Sequence, residues 1–307
     1  MSRAKLTRRH FMAGTSALAA GTISAPFVHT ANAAGSLKIG LWDHWVPGGN
    51  DTTKALIQEW ADKEKVEVTV DFITSQGNKL LLTLAAEAQA GAGHDIMEFT
   101  NWESVQQAAA LESHDDIVKD VVAANGPIDP SVEYLFKNDG RWLGVPHTHG
   151  SLLLGACSRI DLLKEHAGID IQALYPAGKP PNDAAWTWDA FLTAAEKLHK
   201  AGFDFGLPLG VTTDTVQWIG ALFLAHGAAV MDQKGEVTVK SDAVKQVMEY
   251  GKRLIPFLPA DATAWDDSGN NKALLSGKAS LIFNPPSAWA VGKRDAPQIA
   301  EKCWTHG

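Results

Sequence analysis

The sequence predicts an α/β protein of two lobes, each a mostly parallel sheet flanked by helices, joined near residue 146. Three observations predict it. Residues 36–99 alternate strand-like and helix-like segments in a β-α-β-α-β rhythm with short loops, which argues a parallel sheet wrapped by helices. Near residue 140 the texture changes, at a turn signal followed by a proline. A second series of helix and strand segments then runs from Thr187 to Phe283.

The elements follow in order. Ser36 to Trp42 alternates and reads as a first strand. Asp51 or Thr52 can cap a helix carrying Leu56, Ile57 and Trp60 at helical spacing. Val66 to Phe72 alternates strictly and reads as a second strand. Asn78 opens a second helix with Leu81, Leu82, Leu84 and Ala85, stopped at Gly91-Ala92-Gly93, and Asp95 to Phe99 is a short third strand. Asp139-Gly140 is a turn, Arg141 to Pro146 reads as a strand, and Ser151 to Ser158 as another. Thr187 caps a helix with Phe191, Leu192, Ala195 and Leu198 on its apolar face, and Ala201-Gly202 stops it. Phe205 to Gly210, Val216 to His226 and Ser241 to Leu254 continue the alternation, and Ala279 to Phe283 is the last clear strand. Pro176 to Asn182 is a Pro-Gly-Lys loop expected at the surface.

Residues 1–33 form a separate unit. The pair Arg8-Arg9 is followed by His10-Phe11-Met12, a weakly apolar run to Val28, and Ala31-Asn32-Ala33. A charged start, an apolar stretch and an A-x-A site define a secretory signal peptide. The twin arginine resembles the bacterial Tat class, so export to the periplasm and a mature start at Ala34 are expected. A membrane anchor is disfavoured, because Pro26 breaks the run before about 20 apolar residues accumulate. The expected divisions are 1–33 signal peptide, 34–146 first lobe and 147–307 second lobe.

Charge narrows the partners. Residues 1–33 hold four basic residues and no acid, so without them the formal charge falls from −8 to −12. Nucleic acid and anionic lipid both need a basic surface, and neither is expected as a partner. Two cysteines, Cys157 and Cys303, could pair, but two such distant residues carry no spacing signal. Neither a G-x-S-x-G, H-E-x-x-H, Walker nor G-x-G-x-x-G pattern occurs, and no cofactor is expected.

Four motifs then carry a resemblance: Gly93-His94-Asp95-Ile96, Gly144-Val145-Pro146, Trp186-Thr187-Trp188-Asp189-Ala190-Phe191 and Gly277-Lys278-Ala279-Ser280-Leu281. Their order across residues 36–291 resembles the extracellular solute-binding proteins of ABC importers, in the sugar-binding group that includes maltose-binding protein. The resemblance implies a type II periplasmic binding fold with a hinge near residue 146. It also implies a carbohydrate ligand (sugar, oligosaccharide or polyol), an ABC permease as partner, a monomer, and no catalysis. Two places depart from the family pattern. Ala156-Cys157-Ser158-Arg159 stands where a Tyr-Asn-Lys strand end is common, and Ser287 stands where a first stacking aromatic is common, two residues before Trp289. The family chain makes a further return pass after this loop, so the present chain is expected to be a fragment lacking it, marginally stable and prone to associate.

Sugar binding needs flat aromatic faces for ring C–H groups and planar polar groups for hydroxyls, at strand ends bordering a cleft. Trp42-Asp43-His44-Trp45 follows the first strand, with Trp42 alternatively a buried strand end. Gln76 and Asn78 follow the second strand, and Asn78 is equally a helix cap. Asn101 and Trp102 follow the third. In the second lobe Asp214, Gln217 and Trp218 lie on a helix start, with capping by Asp214 and core packing by Trp218 as the alternatives. Trp265 and Asp266 occupy a polar loop, and Trp289 follows the last strand. His147-x-His149 shares one face of an extended segment. It reads as cleft lining or, in the rival class of a Tat-exported metalloenzyme or cofactor-binding protein, as part of a metal site. The acids favour a neutral or cationic ligand over a phosphorylated one.

Changing Arg8-Arg9 to Lys-Lys is expected to strand the precursor in the cytoplasm, and N-terminal sequencing of the exported parent should start at Ala34. Normal export of the double-lysine form contradicts the Tat assignment.

Overall fold

The computed structural model describes residues 35–99, 103–147, 154–232, 234–284 and 286–307. The signal segment, Thr100, Asn101, Trp102, His149 and Ser151 to Leu153 lie outside the described residues. No helix of the described residues is long and apolar enough to cross a membrane.

The first lobe is built on β1 (Ser36–Trp42), α1 (Gly49–Glu64), β2 (Glu67–Ile73), α2 (Lys79–Ala90) and β3 (Ile96–Met97). The strands stand in the order β2-β1-β3, and β1 runs parallel to both neighbours. This is the expected β-α-β-α-β arrangement, with the cap of α1 three residues before Asp51, the earlier of the two expected caps. Gly48 stands at the cap position in a left-handed conformation, φ 79°, and Asp51 lies in the first turn instead. The inward stripe of α2 also differs by phase: Leu80 and Leu84 are buried, while Leu81 and Leu82 face out. On α1 only Ala61 is buried, and Leu56 and Trp60 are 63% and 44% exposed. Helical spacing identifies a stripe, but only packing decides which stripe turns inward.

His94 ties this layer together. Its Nδ1 lies 2.9 Å from Glu87 Oε1 on α2, and its Nε2 lies 3.1 Å from Asp71 Oδ2 on β2. Burial opposes the charged ring, but the bonds to the two carboxylates outweigh it and raise its pKa above the ordinary histidine value. Helices α3 (Asp115–Asn125) and α4 (Pro130–Phe136) follow, and then the hairpin of β4 (Lys137–Asn138) and β5 (Arg141–Trp142). The turn is Asp139-Gly140, with φ 51° and 78°, the paired left-handed geometry that suits a two-residue hairpin. The strand expected to reach Pro146 therefore ends at Trp142.

The second lobe contains β6 (Ala156–Arg159), α5 (Trp188–Lys200), α6 (Thr213–Ala225), α7 (Asp242–Leu254), α8 (Gly269–Leu275), β7 (Leu281–Phe283), α9 (Ser287–Asp295), α10 (Pro297–Ala300) and β8 (Cys303–His306). Three N-caps are side-chain hydroxyls. Thr187, Thr212 and Ser241 accept from Ala190, Thr215 and Val244, at 3.3, 3.0 and 3.2 Å. The cap of α6 is thus Thr212 and not Asp214. Phe191, Leu192, Ala195 and Leu198 are all buried, as their spacing implies. Phe191 lies at the centre of an aromatic cluster, 4.7 Å from Phe205 and 5.6 Å from Phe283 between ring centroids. These contacts belong to one core that also holds Trp218, Leu222, Tyr250 and Leu281.

The strands of this lobe are ordered β7-β6-β8, and β6 is antiparallel to both neighbours. Helix–strand alternation led to an expectation of mostly parallel pairing; in the first lobe β1 pairs in parallel with both neighbours, and in the second β6 pairs antiparallel while the Phe205 segment bridges Leu281 of β7 in parallel. Here the connection from β6 to β7 runs through four labelled helices, long enough to return the chain from either end of the sheet. The β6–β8 pairing sets Arg159 opposite Cys303 and Cys157 opposite Thr305, so the two cysteines are diagonal neighbours. Both are buried free thiols. The hydrogen bond between them, with burial and the neighbouring charge, raises the Cys157 pKa, and the same bond lowers that of Cys303.

Candidate functional site

Because β1 lies between β2 and β3 in a parallel sheet, the carboxyl ends of all three strands open on the same edge of the first lobe. The β1 end is anchored there by Glu98, which directly follows β3. Its Oε2 accepts from Trp42 N–H at 2.7 Å, and its Oε1 lies 3.4 Å from His147 Nε2. Glu98 is only 8% exposed, so this carboxylate is held inside the lobe edge. The chain after β1 turns through Asp43, His44 and Trp45, and Asn50 at the start of α1 fixes the turn. Asn50 Oδ1 accepts from His44 N–H at 2.9 Å, and its Nδ2–H donates to Asp43 Oδ1 at 2.7 Å. His44 Nδ1 accepts from Val46 N–H at 2.8 Å, which assigns the remaining ring proton to Nε2. The Trp42 and His44 rings lie 4.9 Å apart. Trp42 and Trp45 are both half-buried, and Asp43 and Gln76 are exposed. Asn78 occupies the cap position of α2 in a left-handed conformation, with no side-chain capping bond.

The facing loop of the second lobe is Trp265 to Ser268. Trp265 is half-buried against two glycines. A Cβ added at Gly269 would lie 2.6 Å from Trp265 Cβ, and one at Gly210 would lie 2.3 Å from Trp265 O. Only residues lacking a side chain allow this approach. Asp266 Oδ1 accepts from Ser268 N–H at 3.0 Å and from its hydroxyl at 2.6 Å. Its other oxygen, Oδ2, accepts from Gly77 N–H of the first lobe at 3.3 Å. This bond joins the loop after β2 to the loop before α8, 189 positions apart. Asp267 Oδ1 accepts from Thr213 N–H at 3.3 Å, and Asp214 Oδ2 accepts from Asn270 Nδ2–H at 2.5 Å. Asn270 also donates to Phe283 O at 3.1 Å, fixing α8 to the end of β7.

The three aspartates differ in acidity. Burial, reinforced by the Asp267 charge and opposed by the Asn270 bond, pushes Asp214 up to about 7. Asp267 is raised by burial and by the charges of Asp266 and Glu103, against the bond from Thr213. Burial also works against the charged form of Asp266, but the bonds from Ser268 and Gly77 and the Lys272 charge hold it below the ordinary carboxylate value. Glu103 comes from the first lobe and is 4% exposed, and its charge adds to the upward shift of Asp267.

The sequence-derived candidates divide accordingly. The β1-end group Trp42, Asp43, His44 and Trp45 stands on the same lobe edge as His147, and Gln76 adjoins Gly77 opposite Asp266. Asp214 adjoins Asp267, and Gln217 is half-buried one turn further along α6. Trp218 is a core residue: it is 4% exposed, and its Nε1–H donates to Pro208 O at 2.9 Å. Trp289 is 39% exposed with Lys293 Nζ 4.8 Å from its ring centroid, and Ser287 donates to Asn284 Oδ1 at 2.9 Å. Asn101 and Trp102 lie outside the described residues, as does His149. Among the described residues no group of three or more His, Cys, Asp or Glu side chains could hold a metal ion. Sequence reading missed Glu98, Glu103, Asp267 and Asn270. The available signal for Glu98 was position, an acid at the carboxyl end of a parallel strand. The arrangement is rich in acceptors and edged by indoles, which suits hydroxyl donors and apolar ring faces.

A family model described as bacterial extracellular solute-binding protein matches residues 47–302. Comparison with curated proteins gives no match. Among solved structures the chain is similar to maltose-bound MalE3 of T. maritima, at 18% identity and TM-score 0.64, covering 89% of this chain and 67% of that one. It is similar to a sugar transporter from Arthrobacter chlorophenolicus A6 with bound laminaribiose, at 18% identity and TM-score 0.64, covering 88% and 65%. It is also similar to an ABC transporter solute-binding protein from Agrobacterium radiobacter K84 in complex with ribitol, at 19% identity and TM-score 0.63, covering 88% and 65%. The chain spans about two thirds of the length of these structures. At these identities the likeness is one of fold, the two-lobe binding-protein fold.

The Asp214 environment generates a pH prediction. Its folded pKa lies above the ordinary value, so the native state holds a proton that the unfolded chain has lost. Stability therefore falls as pH rises from about 4 toward 7 and levels off above. Asp214→Asn removes that loss. Its unfolding free energy from urea titration should exceed the parent's by more at pH 8 than at pH 4, the offset growing by on the order of a few kcal/mol. An equal offset at both pH values contradicts the assignment.

Proposed function

The chain belongs to the bacterial extracellular solute-binding family, and on that premise we propose that it captures a carbohydrate between its lobes and delivers it to an ABC permease. The ligand is a sugar, an oligosaccharide or a polyol. The observation that carries this reading is the Gly77–Asp266 bond, which sets the strand-end loops of one lobe against an indole- and acid-bearing loop of the other. A solute between them meets Trp45 and Trp265 as flat faces. It meets Asp43, Gln76, Asp214, Asp266 and Gln217 as hydrogen-bonding groups. Maltose, laminaribiose and ribitol in proteins of the same fold support a polyhydroxy ligand. The work is non-covalent: the lobes close on the solute about a hinge near residue 146, and no reaction is catalysed.

The acceptor-rich lining argues against a phosphorylated solute, because carboxylates repel phosphate. Family membership goes with a location outside the cytoplasm. Tat export to the periplasm and cleavage before Ala34 complete the proposal, resting on Arg8-Arg9 and Ala31-Asn32-Ala33.

A thermal-shift screen with a carbohydrate panel tests the reading, since a ligand that binds only the native state raises the midpoint by mass action. One or more neutral sugars or polyols should raise it and change the intrinsic tryptophan fluorescence. Trp45→Ala and Trp265→Ala should each weaken binding by about 1–3 kcal/mol. A panel without any shift contradicts the ligand class, and variants that bind like the parent contradict the site.

A further inference from the structure

We propose that His94, as an imidazolium, is a proton-operated clasp across the first-lobe sheet: it reaches from the entry of β3 over Gly40 of β1 to Asp71 of β2, and it releases Asp71 when it loses its proton. The inference concerns the sheet that carries the candidate site and holds whatever solute that site takes.

The clasp follows from the register of the sheet. β2 and β3 lie on opposite sides of β1. Gly40 of β1 stands opposite Asp71 on one side and Met97 on the other. The His94 ring crosses at this position. A Cβ added at Gly40 would lie 3.1 Å from His94 Cγ and 2.3 Å from Met97 Sδ, so a side chain there would obstruct the crossing. On its own side His94 is anchored by Glu87 of α2. That carboxylate accepts the His94 backbone N–H at 2.9 Å and lies 2.9 Å from Nδ1. On the far side Nε2 lies 3.1 Å from Asp71 Oδ2.

Both ring nitrogens thus face carboxylate oxygens, which only accept. A neutral imidazole has one N–H and one lone pair, so one of the two contacts would set a lone pair against an anion. The imidazolium donates at both. The charged groups acting on the ring are Glu87 from α2 and Asp71 from β2, and together they outweigh the burial that opposes its charge. Asp95, next in the chain, is occupied by the Lys38 N–H at 2.8 Å. Lys38 is the charged residue on the same face of β1, two positions from Gly40.

The two grips are unequal. The Glu87 side chain is 21% exposed and also binds the His94 backbone, whereas the Asp71 side chain is 63% exposed. The proton therefore leaves from Nε2, Nδ1 stays on Glu87, and the contact with Asp71 turns repulsive. β3 has only two ladder residues, flanked by Asp95 N–H to Lys38 O at 2.8 Å and Glu98 N–H to Gly40 O at 2.9 Å. A clasp at its entry is a large share of what holds it, and Glu98 at its exit takes the Trp42 amide at the β1 end. A pKa raised by folding stabilises the fold fully below the unfolded value, and that contribution is lost as pH rises through the folded value. The clasp is closed in acid and opens above the ordinary histidine range.

Imidazole NMR of the ligand-free full chain follows the ring directly, so failure here is separate from failure of the carbohydrate reading. His94 should titrate above the ordinary histidine value, with Nδ1 still protonated at pH 9. Hydrogen exchange at amides 95–98, corrected for the chemical effect of pH, should be faster at pH 9 than at pH 5.5. The increase should be about tenfold for each pH unit between the folded and unfolded midpoints of the ring. Asp71→Asn, at an exposed position, offers Nε2 an amide that accepts from a protonated ring and donates to a neutral one. It should lower the His94 midpoint and remove the pH dependence of exchange at 95–98. A parent midpoint at or below the ordinary value overturns the charged clasp. Exchange at 95–98 that is equal at both pH values in the parent, or that rises as much in Asp71→Asn, overturns its release.

Discussion

The parallel pairing of β1 with both β2 and β3 is the constraint from which the rest of the site follows. Parallel neighbours cannot be joined by a tight turn, so α1 and α2 must cross back over the sheet, and every strand then ends on the same edge. That edge gathers the loop after Trp42, the loop after Ile73 and Glu98 after β3. Glu98 closes the arrangement by taking the Trp42 amide at the end of the central strand. Without that bond the β1 end would leave a backbone donor without its charged acceptor at the edge of the sheet.

Acidic and amide groups are buried beside the loops of the candidate site. Glu98, Glu103 and Asn270 are each at most 8% exposed, and Asp214 is raised to about 7 by the same withdrawal from water. Buried polar groups normally cost stability unless they are hydrogen-bonded. Here Thr213, Ser268, Asn270 and Gly77 supply donors to the aspartates. The result is a site whose acceptors are oriented before any solute arrives, the condition under which polar recognition loses least to ordering. The second lobe provides the rigid base. The Phe191 cluster and the three hydroxyl-capped helices fix α6, and with it Thr213 and Asp214.

Much of this was legible in the sequence, and the remainder was illegible for identifiable reasons. Strict alternation revealed β1 and β2, and the αL-favouring Asp139-Gly140 pair revealed the hairpin turn. A hydroxyl ahead of a periodic apolar run gave the Thr187 cap. The strand direction in the second lobe was illegible, because alternation of helices and strands is common to parallel and antiparallel returns. Trp218 could not be told from a cleft indole, since what decides it is a carbonyl at Pro208, ten residues away. Glu98, Glu103 and Asp267 were missed because an acid looks solvated in sequence until its neighbours are known, and those neighbours come from other loops. The meeting of Cys157 and Cys303 likewise depends on the β6–β8 register, which no spacing encodes.

The central claim is that solute is held between the lobes and not on either one alone. Hydrogen–deuterium exchange of the full chain, with and without a sugar that raises its melting midpoint, addresses it directly. Peptides covering residues 43–46, 74–78 and 265–268 should gain protection together on ligand addition. Protection confined to the loops of one lobe, or to a surface away from all three, would contradict the claim.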